Sequence, residues 1–162
     1  MPGPKAKVMT AAGSPAPAFE LESLGGGLRS LPQILRDGPA LLVFYKVSCP
    51  VCQLTLPYLD RLAAGDALQV IGISQDDAQS TQAFLERFGV TSPMLLDQSK
   101  DGYPASNAYG ITSVPSLFLV EPDGHVARAF NGFSKRDLEA LGTRAGVGLF
   151  RPDEQVPEWK AG

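Results

Sequence analysis

Between residues 40 and 145 the chain alternates short apolar runs with amphipathic stretches. Residues 40–46 (ALLVFYK), 67–74 (ALQVIGIS) and 116–120 (SLFLV) are dense in β-branched and aromatic side chains and read as strands buried on both faces. The first follows the turn signal Asp37-Gly38-Pro39. In residues 50–64, Val51, Leu54 or Thr55, Tyr58 and Leu62 fall on one stripe, which predicts a helix kinked at Pro57. Asp77 is placed to cap a helix over 78–88, with Gly89 at its stop. Residues 93–96 read as a short strand and 103–109 as a short helix ending at Gly110. Pro122-Asp123-Gly124 predicts a turn that returns 125–130 antiparallel to 116–120. Ser134 caps a last helix running to about Ala145, with Leu138 and Leu141 inward.

Two β–α–β units followed by a hairpin and a helix predict an α/β fold, a central mixed sheet flanked by helices on both faces. A flexible lead-in over 1–15, one domain over 16–145 and a tail over 146–162 are expected. The tail carries Phe150 and Trp159 and either straps onto the surface or hangs free. Phe130, Phe133 and Trp159 read as core or tail packing. Lys5 and Lys7 resemble the basic start of a signal peptide, but no apolar segment follows. A cytoplasmic location is therefore expected, or an exported one if a leader was removed.

Composition narrows the function. The 162 residues suit one domain, and 44% hydrophobic residues are enough for a core. With 14 Lys+Arg against 17 Asp+Glu, a net charge of -3 and no basic block, nucleic acid is not an expected partner. No apolar run approaches the ~20 residues of a membrane span. Two cysteines and one histidine cannot make a Cys₄ or Cys₂His₂ zinc site. No metal and no cofactor are expected, and the chain is expected to be a monomer.

The chemistry concentrates at Cys49-Pro50-Val51-Cys52, where a strand gives way to a helix. The spacing brings two sulfurs together over one turn. Cys49 faces the unpaired N–H groups of the helix start, which favour a thiolate. Pro50 suits the first helical position, where its missing N–H costs nothing. Cys52 lies one turn deeper, so Cys49 is the expected nucleophile and Cys52 the resolving thiol. Two structural thiols are the plain alternative. Val114-Pro115 precedes the third buried strand, and a cis bond there would offer the Val114 backbone to an extended substrate segment. An ordinary trans proline is the other possibility. Tyr45, four residues before Cys49, either flanks the site or packs in the sheet. Asp76 reads as a loop end, Lys46 as a surface cation able to stabilise charge nearby, and His125 as exposed.

These residues resemble the thioredoxin-like superfamily. The match rests on Phe44 to Cys52, Pro57 five residues later, Tyr109 to Val120, and Asp123-Gly124. Ala16 to Leu21 and Ile71-Gly72-Ile73-Ser74 resemble its redoxin branch, which holds TlpA/ResA-like thiol–disulfide oxidoreductases and AhpC/TSA peroxiredoxins. The resemblance implies a thioredoxin fold, Cys49 as nucleophile, Cys52 as resolver and a cis-proline at Pro115 facing the disulfide. It implies Val114, Pro115, Pro50 and Tyr45 as substrate-binding residues. Implied partners are protein or small-molecule thiols and disulfides, and a redox partner protein. Three positions depart from the pattern. Ser48 replaces a tryptophan, Val43 a buried aspartate, and Thr55 the glutamate of ResA-like proteins. Lys46 and Leu42 stand where peroxiredoxins carry threonine and proline, which ranks a thiol peroxidase second. A non-catalytic thioredoxin-like binding module is the third reading.

Overall fold

The computed structural model describes residues 8–162. Strand β3 (Ala40–Tyr45) lies at the centre of the sheet and is buried along its whole length. Its side chains alternate between two cores. Leu41, Val43 and Tyr45 enter one, and Ala40, Leu42 and Phe44 the other. A strand covered on both faces needs no polar alternation, so the run is uniformly apolar.

Seven strands form the main sheet. Besides β3 these are β1 (Glu20–Ser23), β2 (Leu28–Ser30), β4 (Gln69–Ser74), β5 (Met94–Leu96), β6 (Ser116–Val120) and β7 (Val126–Asn131). Their order is β2-β1-β5-β4-β3-β6-β7. β3, β4 and β5 run parallel, and β6 pairs antiparallel with both β3 and β7. Helices α2 (Pro50–Asp60), α3 (Ala78–Phe88) and α5 (Lys135–Ala145) supply apolar side chains to the core of Leu41, Val43 and Tyr45. Helices α1 (Leu31–Leu35) and α4 (Pro104–Tyr109) supply the opposite core, where Phe44 meets Tyr109 and stands edge-on to Phe118. The expected mixed sheet between two helical layers is therefore present.

Local signals act where they stand. The Asp77 carboxylate accepts the Ser80 N–H at 2.8 Å, and Gly89 closes α3 in the left-handed region. The Ser134 hydroxyl oxygen accepts the Asp137 N–H and starts α5. Helix α2 differs from expectation. It stops at Asp60 and continues as a 3₁₀ turn, Arg61–Gly65. Its buried stripe is Cys52, Thr55, Leu56 and Leu59, one residue round from the predicted one, with Val51, Leu54 and Tyr58 half-buried. Nearly every side of this helix is apolar, so periodicity alone does not fix the inward face.

Both flanking segments lie against the domain, and for the tail this is the first of the two expected alternatives. The lead-in expected to be flexible is docked from Val8 onward. Thr10 N–H donates to the Tyr109 carbonyl, and Gly13 and Ala16 bond the β6–β7 hairpin at Val126 and Gly124. Lys5 and Lys7 lie outside the described residues. The tail is a strap. Leu149 is buried, and Phe150 stands edge-on to Tyr58. Arg61 grips the Glu154 carboxylate at 2.7 and 2.8 Å while donating to the Leu149 carbonyl. The tail ends in β9 (Trp159–Lys160), which pairs with β8 (Phe133–Ser134). Phe130 and Phe133 are buried as expected, but Trp159 is 61% exposed. Among the described residues no helix is long and apolar enough to cross a membrane.

Candidate active site

The chain leaves β3 at Tyr45, turns through Lys46 to Ser48, and enters α2 at Pro50. Gln53 holds this turn from the helix by donating to the Val47 carbonyl at 3.0 Å. Asp76, just past β4, holds it from the other side by accepting the Val47 N–H at 2.8 Å. Cys49 is the N-cap of α2, and its sulfur accepts the Cys52 N–H at 3.2 Å. A helix-start donor therefore points at the sulfur, the arrangement that stabilises negative charge there. Cys49 is partly exposed, whereas Cys52 is fully buried.

Burial pushes the Cys52 thiol well above the ordinary thiol range. Its hydrogen bond to Cys49 adds to the rise, as do the charges of Cys49 and Asp76, while the Lys46 backbone works against it. The two sulfurs thus differ in access: Cys49 is reachable from solvent, and Cys52 lies behind it. No carboxylate lies against Cys52 from Val43 or Thr55. The Thr55 hydroxyl is spent on the Val51 carbonyl at 2.6 Å. Asp76 is the acidic group whose charge reaches this thiol.

The Val114–Pro115 peptide is cis. Val114 comes up to the dithiol, with the Cys49 sulfur 3.5 Å from its carbonyl oxygen. Ser116 steadies this loop by donating its hydroxyl to the Ser113 carbonyl at 2.7 Å. Cys49, Pro50 and Val114 therefore meet at one exposed edge, with Pro115 buried behind them. Lys46, Gln75, Thr112 and Ser113 line a cleft of about 170 Å³ beside it.

Tyr45 is not part of this surface. It is fully buried, its ring packs on Phe84, and its hydroxyl lies 3.2 Å from the Met94 sulfur. The correction has a simple cause. Tyr45 points to the same side as Leu41 and Val43, into the core beneath α2. The sequence reading also missed Asp97, a fully buried carboxylate after β5. It accepts the N–H groups of Ala105 and Ser106 and the Ser106 hydroxyl at 3.0, 2.7 and 2.6 Å. This anchors α4, from which the chain passes through Gly110 into the Val114 loop. An aspartate seven residues before Pro104 was the available signal.

Comparison with known proteins agrees with this geometry. Residues 12–129 match the AhpC/TSA family. The thiol-disulfide oxidoreductase ResA of Geobacillus thermodenitrificans is 28% identical over 138 residues, 82% of this chain and 77% of that protein. The thiol:disulfide interchange protein DsbE of Yersinia pestis is 33% identical over 115 residues, 69% of this chain and 60% of that protein. The crystal structure of the thioredoxin domain of a thiol-disulfide oxidoreductase from Bacteroides vulgatus superposes with a TM-score of 0.72 at 25% identity, covering 83% of this chain and 97% of that one. With a capping thiol over a buried one, a cis-proline loop against them and a family match across most of its length, the chain belongs to the AhpC/TSA family within the thioredoxin-like proteins.

Proposed function

We propose that this protein is a thiol–disulfide oxidoreductase in which Cys49 attacks and Cys52 resolves. The Cys49 thiolate attacks one sulfur of a substrate disulfide, and the other sulfur leaves as a thiolate and takes a proton. The Cys52 thiol then loses its proton and attacks Cys49. The substrate departs as a dithiol, and a Cys49–Cys52 disulfide remains. A partner dithiol restores the reduced pair by the same exchange in reverse. The observation that carries this reading is the Cys52 N–H aimed at the Cys49 sulfur, with the second thiol buried directly behind it. Val114 presents backbone to an extended substrate segment, Pro115 backs it from below with its carbonyl bonded to Gly132, and Pro50 borders the same surface. Direction depends on the compartment. A reducing cytoplasm keeps the pair as an electron donor, and an oxidising exported space lets it act as an acceptor.

Reduction of insulin by dithiothreitol, followed by turbidity, tests the assignment. Cys49→Ser should abolish catalysis, and full turnover by that variant would remove Cys49 from the role. The family match also covers thiol peroxidases. Lys46 and Leu42 supply no hydroxyl or proline to shape a peroxide site. Peroxide consumption no faster than that of a free thiol is the expected result. A pair that stays reduced in every glutathione buffer would favour a binding module instead.

A further inference from the structure

The strap ends on the surface assigned above to substrate. From Ser134, which is opposite Trp159, it runs antiparallel past Phe133, which is opposite Lys160. The Glu158 carbonyl accepts the Lys135 N–H at 3.0 Å, and the Lys135 ammonium lies 3.5 Å from the Glu158 carboxylate. Beyond Lys160 the backbone presses onto the loop. A Cβ at Gly132, whose φ is +73°, would meet the Lys160 carbonyl oxygen. A Cβ at Gly162 would overlap the Val114 carbonyl and crowd the Pro115 nitrogen. That Val114 oxygen is the atom 3.5 Å from the Cys49 sulfur. Pro115 and Gly132 are themselves joined by a backbone bond of 2.8 Å, so strap, loop and nucleophile form one continuous surface.

We propose that residues 159–162 are a tethered occupant of the groove in which an extended protein substrate binds, so that the strap must lift before such a substrate can pair with Val114. The inference rests on the proposed function for the identity of the groove. The chain reaches this surface directly from the β9 strand and sets a residue lacking a side chain over Val114. A small disulfide needs only the sulfur of Cys49, which is partly exposed with the strap in place. The strap therefore selects against polypeptide disulfides until it is displaced.

Two variants of the full chain test this. Gly162→Val places a side chain where the Val114 carbonyl stands. Lys160→Pro weakens the β8–β9 ladder. Each should raise kcat/KM for insulin about three- to thirtyfold, the gain expected when a few net backbone bonds no longer compete. The rate with 5,5′-dithiobis(2-nitrobenzoate) should stay within about twofold, since that small disulfide does not need the groove. Amide hydrogen exchange at Ser113, Val114 and Ser116 should quicken in both variants, and this readout is independent of any activity. Unchanged exchange would overturn the proposal. So would faster exchange with insulin turnover unchanged or reduced, which would make the strap a support for the site. Failure of the unaltered chain to react with either disulfide would instead refute the proposed function.

Discussion

Replacing Asp97 by alanine removes the acceptor for three donors at once, the N–H groups of Ala105 and Ser106 and the Ser106 hydroxyl. The carboxylate has no exposed surface. A buried donor left without a partner costs about 1–3 kcal/mol. Partial entry of water offsets some of this, so a loss of roughly 4 kcal/mol is expected. Against a total stability of about 5–15 kcal/mol this is large. With a urea slope near 2 kcal/mol/M, the unfolding midpoint should fall by about 2 M. The melting temperature should fall by about 8–16 °C for a chain of this size. Asp97→Asn keeps one acceptor oxygen and should lose roughly half as much. Urea titration followed by circular dichroism measures all three proteins. An Asp97→Ala midpoint within about 0.3 M of the parent would refute the claim that this carboxylate holds α4 and the loop beyond it.

Burial raises the pKa of Cys52, Tyr45 and Tyr109 in the fold. The stability they contribute is complete below the unfolded values near 9–10 and is lost as pH rises past them. Urea midpoints of the reduced protein should therefore fall steadily between about pH 9 and 11, and a flat profile would contradict the burial. Arg61 holds the Glu154 carboxyl down to about 2, so this tether is complete above the ordinary carboxylate range and is lost as pH falls towards that value. Arg61→Ala should speed chymotryptic cleavage after Phe150 several-fold at pH 8, because Arg61 also holds the Leu149 carbonyl. Equal cleavage rates would show that the apolar contacts of Leu149 and Phe150 hold the strap without it. Phe118→Ala empties a fully buried position between Phe44 and Tyr109 and should cost about 3–5 kcal/mol by urea titration, with a loss under 1 kcal/mol counting against the packing described.

What could be read from the chain was whatever local chemistry determines. The CxxC pair after an apolar run, the Asp77 and Ser134 caps and the Pro122-Asp123-Gly124 turn each act within a few residues of their own position. The elements β1, β2 and α1 were passed over, although Ser30 and Gln33 form a capping box there. These elements are only four, three and five residues long, so hydrophobic periodicity has little to count. Long-range placement accounts for the other misses. Tyr45 and Cys49 are four residues apart, yet one lies under α2 and the other caps it. The strap was undecided because its partners are distant in sequence, with Arg61 gripping Glu154 and Val114 meeting Gly162. Asp97 looked like one acidic residue among seventeen until α4 was seen to start against it.

The division of labour between the two sulfurs is tested most directly by trapping the intermediate with each cysteine replaced in turn. Cys52→Ser, mixed with a disulfide substrate and quenched with acid, should accumulate a mixed disulfide that peptide mass spectrometry maps to Cys49. Cys49→Ser should accumulate almost none, because its remaining thiol is buried and holds its proton. Abundant adduct at Cys52 in the second variant, or none at Cys49 in the first, would contradict the assignment of attacker and resolver.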